Sequence, residues 1–167
     1  MKFFETLSEE ELTHLEEAIP QIAVLIAGAD GNIDAEEKAW ANKLTEIRTY
    51  AGDKVLHDFY QDIHMNFLIK FNDLLKTLPT DTAQRQEMLS ANLAQLNAVL
   101  AKLDPRVAYH LYDSYLSFAK SIAEATGGFL RFSTISKAEK DWIGLPMITP
   151  IAEPAKDELA DETSEES

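Results

Sequence analysis

The chain has 167 residues, no cysteine, and 29 acidic against 15 basic residues, which gives a formal net charge of −14. This length suits one domain with a substantial core, and the lack of cysteine excludes disulfides, thiolate zinc sites and a cysteine nucleophile. The acidic balance argues against nucleic acids and anionic membrane surfaces as partners, because both are recognised by basic faces. Cations and basic proteins fit this charge better.

No stretch approaches the roughly 18 consecutive apolar residues that a membrane span requires. The first residues, Met1 to Glu9, also lack the uninterrupted apolar segment of a signal peptide. We therefore expect a cytoplasmic protein that does not insert into membranes.

The first predicted helix opens at Ser8, with Glu11 in the capping-box position. Pro20 predicts a kink or a division into two helices, because proline removes a backbone donor. The helix is expected to stop at the turn Asp30-Gly31. Its apolar positions recur at helical spacing: Leu12, Leu15, Ile19, Ile22 and Ile26.

A second helix is predicted after Asp34, with its end near Gly52 and an apolar stripe formed by Trp40, Leu44 and Ile47. Trp40 lies less than two turns after the start, and we expect it to pack beneath the preceding loop as a core residue.

The third helical stretch is predicted to open at Asp53 and to end before Pro79, either continuous to Leu78 or broken near His64. His57, Gln61 and His64 follow one side of it but lack the intervening glutamate of a helical zinc-protease motif, which favours surface or half-buried histidines. Its predicted apolar stripe is broad: Val55, Phe59, Ile63, Phe67, Leu68, Phe71, Leu74, Leu75 and Leu78.

Thr80 or Asp81 is predicted to cap a long helix with leucines in steps of four and three. The pattern covers only about two heptads, which favours packing inside the chain over a dimer seam and leaves the dimer as the alternative. The leucines are Leu89, Leu93, Leu96, Leu100 and Leu103.

Asp104-Pro105 is a favourable opening for the next helix. Its inward residues are predicted to be Val107, Leu111, Tyr115, Phe118, Ala119 and Ile122. Four neighbours resemble an acid–base cluster, namely Tyr109, His110, Tyr112 and Asp113. Tyrosines at this density usually pack their rings and expose their hydroxyls, so we interpret this group as core and rim.

The loop between the first two helices carries the most specific pattern in the chain. Asp30 and Gly31 predict a turn, and Asp34 with Glu37 predicts a second capping box. These carboxylates therefore have structural roles that require no metal.

The same residues, Asp-Gly-Asn-Ile-Asp-x-x-Glu, reproduce the second half of an EF-hand calcium loop. The first and third ligand positions fall on Ile26 and Gly28, which offer no side-chain oxygen, and this excludes a full EF-hand. Two interpretations stay open: a pure capping loop, or a hard-cation site that groups elsewhere in the chain complete.

Part of this loop recurs about one hundred residues later. The segment 27–31 matches 123–127, and 33–40 matches 135–142, with shared glycine, isoleucine, Glu-Lys and tryptophan positions. The second copy carries an insertion, 128–134. These matches indicate an internal duplication, in which Glu139 corresponds to Glu37.

An all-helical chain with this paired Ala-x-x-Asp-Gly-x-Ile-[Asp/Ser]-x-x-Glu motif resembles the TerB-like, tellurite-resistance-associated family over Leu7 to Pro146. The resemblance implies a compact helical bundle of about six to eight helices with an internal pseudo-twofold axis that brings the two acidic loops together. It also implies a role in metal-ion binding or sensing, in membrane-associated stress complexes, or as an accessory interaction module.

By motif position, the resemblance implies four metal ligands: Asp30, Asp34, Glu37 and Glu139. Oxygen ligands in an acidic field favour Ca²⁺, Mg²⁺ or Mn²⁺ over zinc. In the second copy, Thr126 and Ser136 replace the two aspartates, so this copy contributes fewer ligands.

The domain is predicted to span residues 1–149, followed by an acidic tail, 150–167. From Glu153 onward seven acids accompany one lysine, which predicts disorder. Within the insertion, Phe129 and Phe132 are expected to fold back onto the protein, with a mobile lid or docking patch as the alternative.

Three functional classes follow from these patterns. The first is a non-enzymatic module that binds a divalent cation or a partner's basic group through the acidic loop. The second is a protein-interaction domain whose loop is purely structural. The third, a metal-dependent hydrolase, is disfavoured because the chain lacks a nucleophile elbow, a phosphate-binding glycine loop and a metalloprotease motif. We expect a protein partner and no enzymatic activity; the sequence does not decide between monomer and dimer.

Overall fold

The structure is a computed structural model that describes residues 2–126 and 137–155. Within these ranges it contains seven α-helices and no β-strand, which confirms the predicted all-α bundle. The helices are α1 (Glu9–Ala27), α2 (Ala35–Arg48), α3 (His57–Thr77), α4 (Thr82–Ala94), α5 (Leu96–Leu100), α6 (Pro105–Thr126) and α7 (Lys137–Lys140). Short 3-10 turns cover Lys2–Phe4, Gly28–Asp30 and Lys54–Leu56.

Helix α1 lies at the centre of the bundle, where it packs against α3, α4 and α6. The capping box predicted at its start is present, because the Ser8 side chain accepts from the Glu11 amide and the Glu11 carboxylate accepts from the Ser8 amide. Every residue from 18 to 27 is buried. Burial on all sides is the signature of a core helix.

Pro20 lies inside α1, yet the helix continues through it without interruption. The predicted division into two helices is therefore wrong. Proline removes its own N–H, which leaves the carbonyl of Glu16 without its usual intrahelical donor. Pro20 is itself buried among the surrounding helices, and this packing holds the rest of the helix in place.

Helix α2 runs antiparallel to α3. Near its start, Lys38 Nζ donates to Asn72 Oδ1 (2.5 Å), and seven residues later Thr45 Oγ1 contacts His64 Nδ1 (3.0 Å). His57 and His64 are both half-buried, which confirms the interpretation of these histidines.

The prediction that Trp40 is a core residue is wrong, because its side chain is 38% exposed. Its indole Nε1 donates to the backbone carbonyl of Ser121 on α6 (3.2 Å). An indole N–H needs an acceptor, and this one lies between α2 and α6 near the surface. The corresponding residue of the second copy, Trp142, is partly buried against the core.

Helix α3 buries a narrower face than its sequence predicts. Phe59, Phe67 and Phe71 are fully buried, whereas Leu68 and Leu75 are 42% and 37% exposed. The predicted apolar stripe is therefore broader than the face that α3 buries. Helix α3 packs mainly against α1 and α2, and within the described chain these two leucines are covered only in part.

The predicted long helix after Asp81 is divided in two. The Asp81 side chain accepts from the Gln84 amide at the start of α4. Helix α4 ends at Ala94, and α5 begins at Leu96, so Gln95 separates the two helices. Packing of the seam inside the chain is confirmed, because all five of its leucines are buried: Leu89, Leu93, Leu96, Leu100 and Leu103.

Helix α6 opens with the predicted Asp104 cap, whose Oδ1 accepts from the Arg106 amide (2.9 Å). All of its predicted inward residues are buried: Val107, Leu111, Tyr115, Phe118, Ala119 and Ile122. The buried Tyr115 hydroxyl donates to the carbonyl of Leu15 (2.7 Å) and joins α6 to the central helix.

Asn97 fastens the C-terminal segment to the bundle. Its side chain donates to the Met147 carbonyl (3.0 Å) and accepts from the Thr149 amide (2.7 Å). Ile151 also packs against the core, so ordered packing extends two residues past the predicted domain end. The remainder of the predicted tail, 156–167, lies outside the described residues.

Candidate functional site

The candidate loop begins where α1 ends. A 3-10 turn, Gly28–Asp30, leads into Gly31, which adopts a φ of 100°. Asp30 Oδ1 accepts from the Asn32 amide (3.0 Å) and closes the turn. This left-handed geometry favours glycine, and the predicted turn is thus confirmed.

The second capping box is also confirmed. The Asp34 carboxylate accepts from the Glu37 amide (2.8 Å), and the Glu37 carboxylate accepts from the Asp34 amide (2.9 Å). These two bonds satisfy amides that would otherwise lack partners at the start of α2. The loop therefore performs its structural role with both residues.

Arg85, on α4, stabilises the loop through a hydrogen bond to its backbone. The sequence alone did not identify it as a residue of the site. Its buried guanidinium donates from Nη2 to the Gly28 carbonyl (3.0 Å), and Gln86 donates to the Ala29 carbonyl (3.4 Å). A Cβ at Gly28 would lie 3.1 Å from Ile33 Cδ1 and 3.2 Å from Arg85 Nη2. Gly28 is thus required for close packing around this arginine.

Glu139 lies near the first loop, as the duplication predicts. Helix α7 packs against the 3-10 turn of the loop, and Glu139 is only 7% exposed. The second copy's own turn, including Gly127 and Ser136, and the Phe129–Phe132 insertion lie outside the described residues. The pseudo-twofold relation of the two loops therefore stays a prediction.

The four predicted ligands share one electrostatic environment. Burial is the largest influence on Glu37; together with the negative charges of Asp34, Asp30 and Glu139, and against the opposing effect of its bond from the Asp34 amide, it raises the pKa of Glu37 to about 7. Glu37 is thus partly protonated near neutral pH. We call these four residues the acidic cluster.

The acidic cluster is not a preformed chelate. Among the described residues, no three acidic or histidine side chains are arranged so that they could hold one metal ion. Asp30 and Asp34 are exposed, Glu37 is half-buried and Glu139 is buried. The exposed carboxylates face solvent, where they attract positive groups.

A separate cavity of about 130 Å³ lies at the other end of α2, around Arg48. The Arg48 guanidinium donates to the hydroxyls of Ser114 and Ser117 (3.0 Å each) and lies over the rings of Tyr60 and Phe118. These contacts join α2 to α6. Because α2 has 14 residues and rises about 1.5 Å per residue, this cavity is about 20 Å from the acidic cluster.

Two of the residues that resembled an acid–base cluster, His110 and Asp113, line this cavity. Tyr112 is buried, Tyr109 is half-buried and Asp113 is exposed, which confirms a core-and-rim arrangement. His110 contacts a residue outside the group, since its Nδ1 lies 2.6 Å from Asp53 Oδ2.

Comparison with known proteins found no family model, no curated protein and no solved structure that matches this chain. The resemblance to the TerB-like family therefore depends on the loop motif alone. None of the described helices combines the length and apolar character needed to cross a membrane.

Proposed function

We propose that this protein is a non-catalytic binding module whose acidic cluster accepts a positively charged ligand. The observation that carries the proposal is the convergence of Glu139 with the first loop, because residues about one hundred positions apart contribute charge to one small region. Gathering four carboxylates raises the free energy of the unliganded state, and a bound cation relieves that repulsion.

The ligand class follows from the chemistry of the donors. Carboxylate oxygens suit Ca²⁺, Mg²⁺ or Mn²⁺, and they equally suit the ammonium or guanidinium group of a protein partner. Within the proposal the chain is a TerB-like module with a role in stress or tellurite resistance. The assignment to a TerB-like module and to this role depends on the loop motif and on the predicted duplication.

Glu37 makes the proposal testable by pH. A cation that binds the ionised cluster must displace the proton from Glu37, so its affinity should increase as the pH rises from 6 to 8. Calorimetry of the full chain at pH 6, 7 and 8, with the chlorides of Ca²⁺, Mg²⁺ and Mn²⁺ and separately with trilysine, measures this effect for both ligand classes.

Two variants remove charge while keeping the loop's hydrogen bonds. Asp30→Asn retains an acceptor for the Asn32 amide, and Glu37→Gln retains an acceptor for the Asp34 amide. Glu36→Gln removes an exposed charge from the same helical turn and serves as the matched control. We expect Asp30→Asn and Glu37→Gln to weaken binding several-fold and Glu36→Gln to change it little.

Equal effects of all three variants would show general charge attraction and contradict a site. Absence of binding in both ligand arms would leave the loop with its capping role only. The protein would then be better described as an interaction domain with a structural loop, the alternative that the capping bonds already support.

A further inference from the structure

Helix α3 presents an apolar face that the fold leaves uncovered. Met65 is 65% exposed and Ile69 is 64% exposed, and Leu68 and Leu75 are also exposed. These residues recur at helical spacing over about three turns of α3. We call Met65, Leu68, Ile69 and Leu75 the outer face of α3.

The outer face lies opposite the side of α3 that enters the core. Phe59, Ile63, Phe67 and Phe71 are buried against the bundle, and at about 100° per residue they occupy the reverse side of the helix. Single exposed apolar residues are ordinary, whereas a contiguous apolar stripe usually marks an interaction surface. Within the described chain, α2 reaches this side of α3 at Asn72, whose Oδ1 accepts from Lys38 Nζ, while Met65 and Ile69 stay open to solvent.

Charged residues at the two ends of the outer face indicate what covers it. Asp62 lies one turn before Met65, and Lys76 lies two turns after Ile69. Asp62 and Lys76 are fourteen residues apart, close to four full turns, so both lie on the same flank of the helix as Ile69. This flank of α3 is therefore negative at one end, at Asp62, and positive at the other, at Lys76.

This arrangement is self-complementary in the antiparallel sense. When two helices pack antiparallel about a twofold axis, each flank meets the same flank of its partner. With the axis near Ile69, Asp62 of each copy lies opposite Lys76 of the other. A parallel pair would instead place Asp62 level with Asp62 and Lys76 level with Lys76 along the helices, so it would not form these ion pairs.

Lys76, the positive end, makes only an exposed ion pair within its own chain. Lys76 Nζ lies 2.7 Å from Asp73 Oδ1, but both side chains are largely exposed, and such a pair contributes little. Lys70, by contrast, points towards α1, where it lies near Glu16 and Glu17 (3.7 and 3.8 Å). Lys76 is thus the lysine of α3 that can exchange its exposed partner, Asp73, for a carboxylate across an interface.

We propose that the outer face of α3 binds a second copy of this chain, as an antiparallel α3–α3 pair in which Asp62 and Lys76 form reciprocal ion pairs. The two copies are both strongly acidic, so their overall repulsion weakens the dimer at low salt. The dimer forms by burying the stripe, and the charged ends set its direction.

Sedimentation velocity of the full chain in about 0.15 M salt, from micromolar to millimolar concentration, tests the association. Ile69→Glu places a charge at the centre of the interface and should raise the dissociation constant at least about tenfold. Met88→Glu alters an exposed apolar residue on α4 and is the matched control, with no expected change. Circular dichroism confirms that both variants stay folded.

A charge exchange tests the direction of packing. Asp62→Lys alone and Lys76→Asp alone should each dissociate the dimer, because like charges then face one another. Mixing the two single variants should restore a dimer containing one of each, since both ion pairs re-form in the mixed species. The double variant should also dimerise.

Each alternative result would overturn part of the proposal. A wild-type chain that stays monomeric up to millimolar concentration would overturn it entirely, and so would a dimer that Ile69→Glu leaves intact. A dimer that Ile69→Glu breaks, but whose single charge variants do not recombine, would overturn the antiparallel arrangement.

Discussion

Glu37 performs two tasks that impose opposite demands on its proton. As the capping residue of α2 it accepts a hydrogen bond from the Asp34 amide, which favours the ionised form. Burial and the charges of three neighbouring carboxylates favour the protonated form and raise its pKa to about 7. The second influence dominates, so the folded protein holds this proton more tightly than the unfolded chain does.

This pKa shift makes a prediction about stability. Because the pKa of Glu37 is higher in the folded state than its ordinary value of 4.5, its contribution to stability is fully present below pH 4.5 and is lost as the pH rises through 7. Glu37→Gln keeps the capping bond and cannot ionise. We expect this variant to match wild type near pH 4.5 and to exceed its free energy of unfolding by about 1 kcal/mol at pH 8, a value reduced for solvent screening of a half-exposed group.

Urea unfolding of both proteins between pH 4.5 and 8 measures this difference. Glu36→Gln should show no comparable dependence on pH. A constant difference between Glu37→Gln and wild type across the range would contradict the raised pKa.

The backbone conformation of Gly31 leads to a second prediction about a single residue. Its φ of 100° strains any residue with a Cβ, and a Cβ there would lie 3.1 Å from Thr82 Oγ1. Gly31→Ala should reduce the free energy of unfolding by about 1–2 kcal/mol. Gly144 has open space around its Cβ position, so Gly144→Ala should fall within about 0.5 kcal/mol of wild type. Equal losses in the two variants would contradict this assignment of strain.

At the scale of single elements, sequence patterns within one helical turn predicted the helix caps correctly, but contacts between distant residues were not predicted. The caps at Ser8, Asp34 and Asp81 depend on residues three positions apart, and all three are present in the structure. Arg85 could have been noticed only by its place one turn before Leu89 in the buried stripe of α4. Its contact with Gly28 joins residues 57 positions apart, and no local pattern encodes such a distance.

The errors in apolar stripes have a common physical cause. Periodicity shows which residues share a helix face, but it does not show how much of that face a neighbour covers. Leu68 and Leu75 share the apolar character of α3, yet the neighbouring helices cover them only in part. The sequence likewise predicted a kink or a division at Pro20, and the division is absent because α1 continues through this buried proline.

Adjacent residues on α4 allow a direct test of burial. Leu89 is fully buried and Met88 is 44% exposed. Leu89→Ala should reduce the free energy of unfolding by about 2–5 kcal/mol through lost contacts and the remaining cavity, whereas Met88→Ala should change it by less than about 0.5 kcal/mol. Chemical denaturation measures both values, and a small loss for Leu89→Ala would mean that the leucine seam is not part of the core.

The molecule as a whole carries far more negative than positive charge. With a net charge of −14, the folded chain concentrates repulsion that the unfolded chain can relax. The acidic cluster adds a local group of carboxylates to this overall charge. Together they connect stability to the ions in solution.

Salt should therefore stabilise the protein. We expect the melting temperature to rise by several degrees as sodium chloride increases from low concentration to about 0.5 M, because screening weakens the repulsion. Tetramethylammonium chloride should have a similar effect, since its cation screens charge but is too large to enter a carboxylate cluster. A melting temperature that stays flat or falls in both salts would contradict the argument.

The placement of the two tryptophans has a practical consequence for spectroscopy. Trp40 and Trp142 are the chain's only indole fluorophores, and each follows by three residues a carboxylate of the acidic cluster, Glu37 or Glu139. One indole is partly open to water and the other is partly buried. Emission excited near 295 nm thus originates entirely beside the proposed binding region, and ligand titrations can be followed optically without attaching a dye.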